Sequence, residues 1–211
     1  MAVGAVVAAA GAADAGGAER SAMQWQYWSV VALWVVWEIY WGISARGVKR
    51  AAAKEPFLSR LPVLIALITG IACMLVPQWL SSYLAQPFLP QGGIFFYLGY
   101  AILVSGLGLG IWARRVLGRN WSGRVTIKEE HELVTSGPYR WVRHPIYSGA
   151  LLICTGSAIA LGWIGGLVTV ALFMGVFVHK IRLEERMLTG HFGAAYAQYR
   201  KQTNALIPFL W

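Results

Sequence analysis

From Pro145 to Val178 the chain carries no charged residue, and basic side chains stand at both ends: Arg143-His144 before, His179-Lys180 after. As one helix, at ~1.5 Å per residue, this run would reach ~50 Å, against ~30 Å for the hydrocarbon core of a bilayer. Its two polar flanks want the same side of a membrane. The run is therefore expected to fold back on itself, with Leu161–Gly166 ("LGWIGG") as the turn between two short helices in a tight hairpin.

Three further apolar segments precede it, about Met23–Ala45, Leu61–Leu84 with Pro77 inside, and Gly93–Ala113. Each is near the ~20 residues a helix needs to cross hydrocarbon. Strands would leave backbone groups unpaired in lipid, so an all-α integral membrane protein with five transmembrane helices is expected. Composition agrees, with 57% hydrophobic and 13% charged residues, against about 25% charged in soluble domains. The 11 Trp and 9 Tyr suit aromatic belts at the two interfaces. Cys73 and Cys154 lie inside apolar runs and read as packing residues, so neither a metal cluster nor a disulfide framework is implied.

The net charge of +9 has a sidedness. All but Arg20 of the 18 Lys and Arg fall between segments one and two, between three and four, or after segment five. Five crossings with an outside N-terminus put them all on the cytoplasmic face. That distribution points to a membrane, not to nucleic acid. The expected organisation is a flexible tail over 1–22, two transmembrane helices over 23–92, and a functional core over 93–211. Within the core, the cytoplasmic loop 114–144 and a C-terminal helix over 179–204, broken or kinked near Gly190 and Gly193, hold the polar matter.

In the loop, Gly137-Pro138 reads as a turn and Pro145 as a first helical residue. The free N–H groups that follow favour an anion, with Arg140, Arg143 and His144 beside them; a basic interfacial anchor reaching to headgroups is the competing reading. In the tail, Glu184 and Glu185 point about 100° apart on a helix, so only one easily faces the bundle. Local pairs Lys180–Glu184 and Arg182–Glu185 also have suitable spacing. Glu38, inside segment one, is expected to face a partner, either a loop cation or the amino group of a ligand. The "GLGLG" at Gly106–Gly110 has no strand before it, and Gly106 with Gly110 reads as a helix-packing pair.

The stretches "LGRNWS" (Leu117–Ser122), "HELVTSGPYRWVRHPIYSG" (His131–Gly149) and "LEERML…FGAAYAQYRKQTNALIPF" (Leu183–Phe209) resemble the isoprenylcysteine carboxyl methyltransferase family, part of a wider phospholipid methyltransferase group. The resemblance covers roughly residues 95–211. It implies an S-adenosylmethionine-dependent enzyme whose cofactor lies at the cytosolic face, between the loop and the C-terminal helix. The positions matching the family's cofactor contacts are His131, Leu133, Val134, Tyr139, His144, Pro145, Tyr147 and Glu184, with Glu185 completing the acidic pair. A Gly-x-Gly of phospholipid methyltransferases finds a loose match in Gly106 and Gly108.

Arg143, Lys180 and Arg182 are the candidate substrate cations. Prenylcysteine enzymes tend to carry arginine one turn before the cofactor-binding glutamate, where this chain has Lys180, which keeps the charge without the bidentate fork. Methyl transfer from a sulfonium is an in-line displacement, so the protein mainly aligns donor and acceptor and excludes water. A carboxylate acceptor needs no general base, and no catalytic residue is assigned. The expected partner is a membrane lipid or lipophilic small molecule, with no obligate protein partner, in a bacterial inner membrane. A membrane reductase using NADPH, of the sterol reductase type, and a non-enzymatic membrane scaffold stay open as alternatives.

Overall fold

The computed structural model describes residues 2–44, 61–118, 121 and 133–207. Seven α-helices run in chain order among these residues: α1 (Ala2–Ser44), α2 (Leu61–Leu75), α3 (Pro77–Leu80), α4 (Gly93–Leu117), α5 (Pro145–Leu161), α6 (Ile164–Phe192) and α7 (Ala194–Gln202). A 3-10 turn covers Gly137–Arg140. The described residues contain no strand, only two isolated bridges, Pro87 with Trp163 and Val142 with Asn204. Two of the helices, α4 and α6, are long and apolar enough to cross a bilayer.

Three boundaries differ from expectation. The tail expected over 1–22 is helical from Ala2, continuous with the apolar part of α1; its alanines are the best helix formers. The segment expected over Leu61–Leu84 stops at Leu75, because Pro77 starts a new short helix after Val76. No break separates the apolar part of α6 from the polar helix expected over 179–204: one helix runs to Phe192. Gly190 lies inside it, and the break falls at Gly193, whose φ of 53° suits glycine.

Glycines let the helices approach closely. A Cβ built at Gly99 would lie 2.4 Å from the Ala160 backbone N, one at Gly156 2.4 Å from Leu103 N, and one at Gly106 2.6 Å from Gly149 O. This seam packs α4 antiparallel to α5, and small residues serve this purpose where lipid removes the hydrophobic drive between helices. Gly110 instead makes room for the Trp37 ring of α1, while a Cβ at Gly108 would meet nothing within 4 Å.

Pro145 opens α5 at a position whose N–H would lack a helical partner anyway, and Gly162 ends it in the left-handed region. Two residues later α6 starts, and the two helices pack through Ala158 against Gly166 and Tyr147 against Phe177. α2 packs on α6, where the buried Thr169 hydroxyl donates to Gly70 O at 2.5 Å. α1 is tied across the bundle by Trp34 Nε1 donating to Ser157 Oγ at 3.0 Å. Cys73 and Cys154 are buried and unpaired. Large apolar side chains face outward as well, Trp79 (82% exposed), Ile94 (72%) and Ile68 (67%) among them.

These contacts gather the C-terminal ends of α1 and α4 with the start of α5 and the polar part of α6. The described Lys and Arg beyond residue 61 belong to this end.

Candidate functional site

Backbone pairing makes the site possible. After α7 the chain runs beside residues 141–144: Arg143 N–H donates to Asn204 O at 2.8 Å and His144 N–H to Ala205 O at 3.0 Å. Ser148 Oγ donates to Leu206 O at 2.5 Å, and Tyr199 OH to Tyr139 O at 2.6 Å. The loop thus lies between the last turns of α6 and the segment following α7. Gly137, at φ 59°, completes the turn where a Cβ would sit 2.9 Å from Val116 Cγ2.

Side chains then converge across three elements. His144 is buried, its Nδ1 3.3 Å from Glu184 Oε2 and its Nε2 3.5 Å from Glu185 Oε1. Nε2 makes no directed hydrogen bond among the described residues. Arg143 Nε donates to Glu185 Oε1 at 2.7 Å, and Arg200 Nη2 lies 3.4 Å from Glu185 Oε2. Tyr147 OH donates to Glu184 Oε1. Its ring stacks between His144 (5.7 Å between centroids) and Phe177 (4.8 Å). Lys180 Nζ stands 5.6 Å from the Tyr147 ring centroid. The two glutamates lie past the apolar stretch of α6, which ends before His179.

Both glutamates are therefore engaged, contrary to the expectation for adjacent acids. His144 sits between them, one ring nitrogen toward each, so the 100° divergence brings both to the same ring. The ion pairs described for them cross to other elements rather than running to Arg182 within α6. Arg182 is exposed, two positions and hence ~200° around the helix from Glu184. Arg143, expected at a substrate, commits Nε to Glu185 and Nη1 to the carbonyls of Thr203 and Arg200. Glu38 is exposed on α1 and among the described residues makes no ion pair with the loop cations Arg114, Arg115, Arg140 or Arg143; residues 119–120 and 122–132 of the loop, His131 with them, lie outside the described residues.

Leu133, Val134 and Tyr139 do come together. With Leu117 and Arg143 from one side and Leu188, Tyr196 and Tyr199 from the other, they line a small cavity between loop, α6 and α7. Gly106 is occupied in helix packing, and neither it nor Gly108 is among the cavity residues. Tyr196, Tyr199, Arg200, Thr203 and Ser148 join the site; they lie within the stretches that carry the resemblance but are not among the positions assigned a role there. The spacing of Tyr196 and Tyr199 on one face of α7, with Thr203 at its C-cap a turn later, is the signal that could have found three of them.

Electrostatics follow from these contacts. Burial alone would push the His144 imidazole down, but hydrogen bonding and attraction from Glu184 and Glu185 outweigh it and raise it above its usual 6.5. Burial would push the carboxyls up. His144, with Tyr147 for one and Arg143 for the other, reverses this, lowering Glu184 and holding Glu185 down to about 2. A raised histidine stabilises the fold fully below the unfolded value and loses that contribution as pH rises through the folded one. Lowered carboxyls act in the opposite sense and fail only in acid. Thermal midpoints in detergent should therefore fall as pH rises from 6.5 through the raised His144 value. His144→Gln should flatten that limb; an unchanged slope would remove His144 from the cluster's energetics.

A phospholipid methyltransferase family model matches residues 94–195. A rice (Oryza sativa subsp. indica) probable protein-S-isoprenylcysteine O-methyltransferase is 30% identical over 138 residues, 63% of this chain and 71% of that protein. The fission yeast (Schizosaccharomyces pombe) protein-S-isoprenylcysteine O-methyltransferase is 30% identical over 143 residues, 66% of this chain. This chain spans only 58% of that relative's length. Arabidopsis thaliana protein-S-isoprenylcysteine O-methyltransferase B is 26% identical, covering 80% of this chain and 84% of its own. A solved eukaryotic intramembrane Ras methyltransferase superposes with a TM-score of 0.48 at 24% identity, over 75% of this chain and 55% of that one.

Proposed function

The chain belongs to the protein-S-isoprenylcysteine O-methyltransferase family, and from that premise we propose that it transfers a methyl group from S-adenosylmethionine to a lipophilic acceptor at the cytoplasmic face of a membrane. The observation that carries the reading is the closure of Arg143 and His144 of the loop, with Tyr147 in the first turn of α5, onto Glu184 and Glu185 of α6. In this reading the helices make five crossings with the last two as a hairpin, the N-terminus lies outside, and the basic end of the bundle faces the cytosol.

The residues present fit such a donor. An aromatic and apolar cavity adjoins a carboxylate cluster, and His144 Nε2 and Tyr196 OH are buried without directed partners among the described residues. When bound, the donor supplies an electrophilic methyl on a sulfonium whose leaving group is already activated. Leu133, Val134 and Tyr139 would hold its base from the loop side. Glu184, anchored by His144 and Tyr147, would accept hydrogen bonds from its hydroxyl or ammonium groups. Arg143 would keep loop, α6 and α7 together through Glu185 and the carbonyls after α7, which excludes water from the space between them. Lys180, over the Tyr147 ring at the edge of the apolar stretch, is the cation available to an anionic acceptor arriving from between the helices. A prenylcysteine carboxylate or a lipid amine would suit the apolar route; a carboxylate would draw on Lys180.

The test incubates purified protein with labelled donor and a membrane lipid extract, then identifies the labelled product. Ligand-dependent thermal stability separates the alternatives: S-adenosylhomocysteine should raise the midpoint and NADPH should not. The role of Lys180 is tested separately. Lys180→Ala should lower kcat/KM by about 100-fold if it meets an anionic acceptor, the scale of one lost charged hydrogen bond. Lys180→Arg should stay within about threefold of the parent, since the charge survives. An arginine variant as poor as the alanine one would exclude a charge role.

A further inference from the structure

Tyr196 is enclosed to 1% exposure and lines the cavity between the loop, α6 and α7. Its hydroxyl is closed to solvent and has no hydrogen-bond partner among the described residues. The neighbouring polar groups are otherwise committed. Tyr199 OH donates to Tyr139 O, and Arg143 binds Glu185 and the carbonyls of Thr203 and Arg200. A buried hydroxyl left unpaired costs free energy, and natural structures rarely keep one without a reason. The remaining lining is aliphatic or aromatic: Leu117, Leu133, Val134 and Leu188 with the tyrosine rings. Such walls suit a flat, neutral heteroaromatic ring that needs one or two polar contacts at its edge.

We propose that Tyr196 is a specificity-determining residue whose hydroxyl hydrogen-bonds the purine edge of the methyl donor, so that the cavity selects a nitrogenous base over a plain aromatic one. This rests on the donor-binding reading above and names the group that would read the base. The hydroxyl is neutral at working pH, since burial, followed by the nearby Glu185 carboxylate, pushes it above the usual tyrosine value. It is thus suited to an uncharged edge offering both acceptors and an amino donor.

The experiment uses full-length protein in detergent and compares the parent with Tyr196→Phe. Affinities are measured by calorimetry for S-adenosylhomocysteine and for an analogue with indole in place of adenine, and thermal midpoints are measured without ligand. The variant should bind S-adenosylhomocysteine about tenfold more weakly, the scale of one neutral hydrogen bond. Its affinity for the indole analogue should equal the parent's. Its ligand-free midpoint should be unchanged or higher, because an unpaired buried hydroxyl has been removed. Equal S-adenosylhomocysteine affinity in the two proteins, or a lower ligand-free midpoint with both ligands weakened alike, would overturn the proposal by making the hydroxyl structural. If the parent itself fails to bind S-adenosylhomocysteine, the donor reading falls and this inference with it. That failure is distinct from one in which only the comparison of variants is flat.

Discussion

Glu184→Gln should weaken S-adenosylhomocysteine binding by about 100-fold while leaving the bundle folded. The carboxylate takes the Tyr147 hydroxyl on one oxygen and faces His144 Nδ1 with the other, so its position is set before any ligand arrives. Glutamine keeps the size and can still accept from Tyr147, but it loses the charge that a donor's ammonium or hydroxyl groups would meet. Hydrogen bonds to charged groups contribute about 1.5–3 kcal/mol, which is roughly 10- to 150-fold in affinity. The measurement is calorimetric affinity beside the ligand-free midpoint. Wild-type affinity in the variant would take Glu184 out of the site. A collapsed midpoint would instead show that its main contribution is to hold His144.

Gly165→Ala should lower the thermal midpoint more than the same change at any other described glycine. A Cβ at this position would sit 1.9 Å from Cys73 O and 2.9 Å from Cys73 C, and backbone cannot swing aside as a side chain can. α2 and α6 would have to separate, which also strains the bonds from Thr169 to Gly70 O and Gly165 O. Overpacking of this kind costs about 3 kcal/mol, roughly 6–12 °C in a chain of this size. Gly108→Ala is the control. It meets nothing within 4 Å and replaces the weaker helix former, so its midpoint should be equal or slightly higher. Equal midpoints for the two variants would mean that α2 does not press on α6 as described.

Several features of the site are legible in the chain. Pro145 as the first residue of α5 and Gly162 as its end follow from backbone freedom alone, and the charge-free run to Val178 requires a return somewhere near them. The "RHPIY" element and the paired glutamates mark the two partners. Other features run against the local pattern. Adjacent acids diverge on a helix, which argues for one facing outward; a single imidazole placed between them reverses that conclusion. Arg143 stands where a substrate ligand would, yet three oxygens of its own chain take its donors. Hydropathy changes sharply at His179 and suggests a separate polar helix, although helical hydrogen bonding runs through the change without a break.

By itself the sequence determined the helical class, places where helices start or stop, and the gathering of the described cations beyond residue 61 at one end. Those depend on hydropathy, proline and glycine, which act within a few residues of where they stand. Only the tertiary structure decided that residues 203–206 pair with 141–144, that His144 lies between Glu184 and Glu185, and that Tyr196 lines the cavity with its hydroxyl unpaired. These contacts join residues about 40 to 60 positions apart. Their geometry depends on how the loop, α6 and the segment after α7 are placed against one another, which contacts between residues distant in the chain decide.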